Sequence, residues 1–89
     1  MPVISMFYGI IIQLLFYDNK EHKRPHIHAK YGEFAAAFDI ETADILAGSL
    51  PSRQIRLVQA WIEIHRDELN ADWQLAIDGH EVFKIEPLK

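Results

Sequence analysis

Between Pro51 and Gly79 the apolar residues Ile55, Val58, Ile62, Leu69, Trp73 and Ala76 recur at three- and four-residue steps, with His65 filling the gap in the series. Leu57, Trp61 and Ile64 widen the stripe. This is the pattern of an amphipathic helix with one broad buried face. Pro51 fits a first helical turn without losing a hydrogen bond, and Gly79 is a natural stop. A single rod of that length would run roughly 42 Å, so a kink near Asn70 or a division into two helices is expected. Such a helix needs a surface to bury its stripe against.

The residues before Pro51 supply that surface as strands. Gly9 to Tyr17 is rich in β-branched and aromatic residues and almost continuously apolar, which reads as one strand placed centrally in a sheet. Asp18 to Pro25 is a polar loop. Two further strands, His26–Lys30 and Glu33–Asp39, flank Tyr31-Gly32 as a two-residue turn. In that register His28 faces Ala35 and His26 faces Ala37. Ile27, Ala29, Phe34, Ala36 and Phe38 then share the core face, and His26, His28, Lys30, Glu33, Ala35, Ala37 and Asp39 the other. Glu41 to Leu50 reads as a turn-and-strand connector, and Val82 to Ile85 as a short last strand. The expectation is one α+β domain over residues 1–89: a small curled antiparallel sheet of about four strands on one long or kinked C-terminal helix, with a final short strand after it. Phe34, Ala36, Phe38 and the first strand are expected to pack on Val58, Trp61, Ile62 and Leu69.

Composition narrows the function classes. The chain has no cysteine, which excludes disulfides, thiolate zinc sites and a cysteine nucleophile. Val3 to Phe16 is apolar but too short to span a bilayer, so neither membrane insertion nor a secretory leader is expected, and the setting reads as cytoplasmic. The net charge of −4 is unevenly spread. Lys20 to Lys30 carries a local excess of +3, whereas Glu63 to Glu86 carries −5. That dipole suits a charged partner or head-to-tail self-association. No phosphate-binding glycine loop, nucleophile elbow or basic recognition helix is present, and no cofactor is expected.

The chemistry-bearing feature is His26-x-His28. Period-two spacing on a strand projects both rings from one face. The pair is a candidate catalytic acid and base for metal-free RNA cleavage, with Lys23, Arg24 and Lys30 to neutralise phosphate and Tyr31 to stack on a base. It is also a candidate metal site with His22 as third ligand, Asp39 and His65 being alternatives. The blander reading is a pair of half-buried sheet residues at a protein interface. His65-Arg66-Asp67 sits mid-helix in a chain far too short for the kinase its tripeptide suggests.

Phe7-Tyr8-Gly9-Ile10, Pro25-His26-Ile27-His28-Ala29, Gly48-Ser49-Leu50-Pro51, Ile64-His65-Arg66-Asp67-Glu68-Leu69 and Trp73-Gln74-Leu75-Ala76 occur in this order. Together with Lys84-Ile85-Glu86-Pro87-Leu88, they resemble a prokaryotic domain-of-unknown-function family numbered 4160. The resemblance covers essentially the whole chain, and Arg24 departs from the apolar residue expected before Pro25. It implies a small protein encoded beside a second family of unknown function, numbered 2442, in a toxin–antitoxin-like pair. It brings no established catalytic residues. The leading expectation is therefore a non-enzymatic interaction module that binds a small protein partner or itself through the outer sheet face. A His-pair ribonuclease acting on RNA, or a His-based metal-binding domain, is the alternative.

Overall fold

The computed structural model describes residues 2–14 and 24–89. Strands β1 (Val3–Phe7), β2 (Ile10–Gln13), β3 (His26–Tyr31), β4 (Phe34–Asp39) and β5 (Ile45–Ser49) form an antiparallel sheet in chain order, and helix α1 (Ser52–Ile77) follows. The α+β class is as the sequence implies. Among the described residues the sheet has five strands rather than about four.

The additional strand comes from the apolar N-terminal stretch. Its continuity hides a turn at Tyr8-Gly9, where both residues take positive φ, 49° and 78°. Left-handed backbone at both central positions suits a two-residue hairpin whose twist matches that of its strands. β1 and β2 therefore pair with each other, and β2 is interior, between β1 and β3. Leu15, Phe16 and Tyr17, expected as the end of one long strand, lie outside the described residues.

The second hairpin differs from expectation in register. Tyr31 faces Phe34, so the turn is Gly32-Glu33 and not Tyr31-Gly32. Gly32 still supplies the positive φ, now at the first central position. His28 consequently faces Ala37 and His26 faces Asp39. A shift of two residues preserves parity, so both strands keep the faces their alternation assigns.

β5 joins β4 with an irregularity opposite Ala37 and Phe38. Gly48 there has φ +74°, and a Cβ on it would lie 2.2 Å from the backbone oxygen of Ala35. No other residue fits that approach without moving the strand.

α1 buries Val58, Trp61, Ile62, Leu69, Trp73 and Ala76 against Ile12, Ile27, Ala29, Ala36 and Phe38 of the sheet. The Phe7 and Trp61 rings lie 5.4 Å apart. Each large apolar side chain so buried contributes about 1.5–3 kcal/mol. Phe34, expected in this core, is 48% exposed, because it sits beside the hairpin tip. The helix is interrupted at His65 (φ −112°, ψ 22°), five residues before the expected Asn70. Around that kink, Arg66 Nε donates to the Ile40 carbonyl and His65 Nδ1 lies 2.6 Å from Glu68 Oε1.

The expected final strand is absent among the described residues. The chain after Gly79 instead runs as an irregular strap along β1. The Ile85 N–H donates to the Ile4 carbonyl, and Trp61 Nε1 donates to the Glu86 carbonyl. Among the described residues no helix is long and apolar enough to cross a membrane.

Candidate functional site

β3 begins immediately after Arg24-Pro25, and its first residue carries the first histidine of the pair. His26 Nδ1 lies 2.9 Å from the Arg24 carbonyl. A carbonyl only accepts, so Nδ1 carries the proton and donates it. The ring is fully buried, 5.0 Å from the Trp73 ring and 5.2 Å from that of His28. His28 is half-buried and lies between Gln13 of β2 and Ala37 of β4.

Asp39, the cross-strand neighbour of His26, organises the end of β4. Its Oδ1 accepts hydrogen bonds from the N–H groups of Glu41 and Thr42, and its Oδ2 lies 2.6 Å from Arg24 Nη2. The carboxylate is 1% exposed and the Arg24 side chain 62%. A buried carboxylate held by two backbone donors and a guanidinium closes the open end of the hairpin. Arg24, a candidate for phosphate, is thus engaged with Asp39.

The other candidate residues separate. Lys30 is exposed on the outer face between Ile11 and Ala35. Tyr31 belongs to the opposite face; it packs on the core and against the Tyr8-Gly9 turn, where a Cβ on Gly9 would come within 3.2 Å of its ring. It is therefore no partner of Lys30 in stacking on one base. His22 and Lys23 lie outside the described residues. Among the described residues no three histidine or carboxylate side chains are grouped to hold a metal ion. The cleft of about 450 Å³ between β1 and the C-terminal strap is walled by Ser5, Glu68, Lys84 and Glu86, and neither histidine lines it.

One functional-looking residue escaped sequence reasoning. Asp72 is 2% exposed, with Oδ1 accepting from the Phe83 N–H and Oδ2 without a hydrogen-bond partner among the described residues. Burial raises its pKa above the ordinary 3.8, the Phe83 hydrogen bond opposes this, and the nearby Glu68 charge adds to it. The signal was its place three residues after Leu69 and four before Ala76, squarely on the apolar stripe.

The outer face of the sheet is the other unusual surface. The register aligns Met6, Ile11, Lys30, Ala35 and Ser49 in one row, and Gln13, His28, Ala37 and Ala47 in the next. The helix packs on the opposite face, and its Trp73 also reaches the His26 ring at the start of β3. Met6 and Ile11, directly across from one another, are 62% and 37% exposed.

A family model described as "Domain of unknown function (DUF4160)" matches residues 9–74. The chain belongs to this family. Comparison with curated proteins and with solved structures finds no match. The matched segment of the DUF4160 chain runs from the first hairpin turn to just past Trp73, and so contains His26, His28, Asp39 and the helix residue that covers His26.

Proposed function

We propose that this DUF4160 chain is a cytoplasmic, non-enzymatic interaction module that docks a small protein through its outer sheet face, within a two-gene pair of toxin–antitoxin type. The observation that carries the reading is the exposed Met6–Ile11 pair on the sheet face opposite the apolar core. Exposed apolar side chains on the same face as the small residues Ala35 and Ala47 offer a surface on which a second protein can pack closely. His26 serves this module as a structural residue: its ring is buried against Trp73 and its Nδ1 proton is committed to the Arg24 carbonyl. The ribonuclease alternative draws on the 5.2 Å separation of the two rings, but needs both of them within reach of a phosphodiester.

Size-exclusion chromatography with light scattering, on the chain alone and with the product of the adjacent gene, tests the reading. A defined complex that Ile11→Arg abolishes is the expected result. A monomer indifferent to that product would contradict it.

A further inference from the structure

The outer face differs from the rest of the chain in charge as well as in polarity. Thirteen aspartates and glutamates against nine lysines and arginines give the chain a net charge of −4. Among the described residues none of them occupies either outer row. The charged side chain there is Lys30, exposed on the central strand of the five, with His28 two residues away on the same face. Beyond His28 the next cross-strand pair holds Asp39, which is buried and engaged by Arg24. Among the described residues these two rows therefore carry a cation and no carboxylate, whereas the Glu63–Glu86 region carries −5.

We propose that the occupant of this face is a different protein whose docking segment is apolar and bears carboxylates. The inference rests on the docking reading above and adds the chemistry of the partner. An acidic segment is repelled by the Glu63–Glu86 region, which carries −5, and attracted where Lys30 stands among apolar neighbours. The field thus turns an encounter toward this face before contact, and Lys30 fixes the register after it. A second copy fits poorly. Two-fold packing of this face on itself brings Lys30 near its own symmetry mate, and a head-to-tail arrangement leaves another open face at every step.

The test uses a phage library of random short peptides, selected on the immobilised full chain and counter-selected on Ile11→Arg. Both Ile11 and Lys30 are exposed, and circular dichroism checks that their variants fold. The expected outcome is a set of Ile11-dependent sequences that combine apolar residues with aspartate or glutamate. A synthetic peptide of that consensus should bind Lys30→Glu about tenfold or more weakly than the parent, and should weaken with added salt. Ile11-dependent peptides without acidic residues would overturn the inference while leaving the docking reading in place. No Ile11-dependent peptide would contradict the docking reading itself. Growth in mass with concentration for the chain alone, lost in Lys30→Glu, would make the occupant a second copy and overturn the proposal.

Discussion

Arg24, two residues before β3, and Asp39, the last residue of β4, meet in a contact of 2.6 Å between a largely exposed guanidinium and a buried carboxylate. The asymmetry of exposure decides what each partner contributes. Asp39 also satisfies two backbone donors in the turn that follows, so Asp39→Ala should cost about 3–5 kcal/mol. Arg24→Ala leaves those two bonds in place and should cost less, about 1–2 kcal/mol. Urea denaturation of both variants checks the order; equal losses would show the backbone bonds to be unimportant.

Two glycines with positive φ should respond differently to alanine. At Gly32 an added Cβ meets nothing within 4 Å, and only backbone strain of about 1–2 kcal/mol is expected. At Gly48 the same strain is joined by a collision with the Ala35 carbonyl in the partner strand. Gly48→Ala should be the more destabilising of the two, with amide exchange quickened in β4 and β5. Thermal melts and hydrogen exchange would report it.

Asp72 gives the chain a pH dependence of definite sign. Its pKa is raised in the folded state, chiefly by burial, so between 3.8 and that raised value the native protein holds more protons than the unfolded chain. Its contribution to stability is therefore greatest below this window and is lost as pH rises through it. Asp72→Asn retains an oxygen to accept from the Phe83 N–H and removes the titration. The variant should show a flatter stability profile across the window in urea titrations; an unchanged slope would assign the titration to other groups.

The two histidines should separate on substitution. His26 is enclosed by Trp73 and by its bond to Arg24, so His26→Ala should lose about 2–4 kcal/mol. His28, half-buried on the outer face, should lose about 1 kcal/mol. Variants that keep full stability while losing an RNA-cleaving activity of the parent would turn the pair into catalysts.

How legible the chain was depended on whether a pattern had a single solution. The helix stripe did, and Val58, Trp61, Ile62 and Leu69 are buried as their spacing requires. Hairpin parity also did, because a slip of two residues leaves every side chain on its face. The register did not, since Gly32 can serve at either central position of a two-residue turn, and that choice decides whether His26 meets Ala37 or Asp39. The Tyr8-Gly9 turn was concealed by apolar residues on both sides and by a tyrosine in left-handed backbone. Tertiary contacts carried the rest: the approach of Trp73 to His26, the strap that takes the place of a last strand, and the buried carboxylate at Asp72.

The central claim is that the outer face receives another protein, and backbone amide chemical shifts of the labelled chain, recorded as the proposed small protein partner is added, test it most directly. Shifts confined to Met6, Ile11, Lys30, Ala35 and Ala47, and lost in Ile11→Arg, are the expected result. Shifts centred on the helix or the C-terminal strap, with those five unmoved, would contradict it.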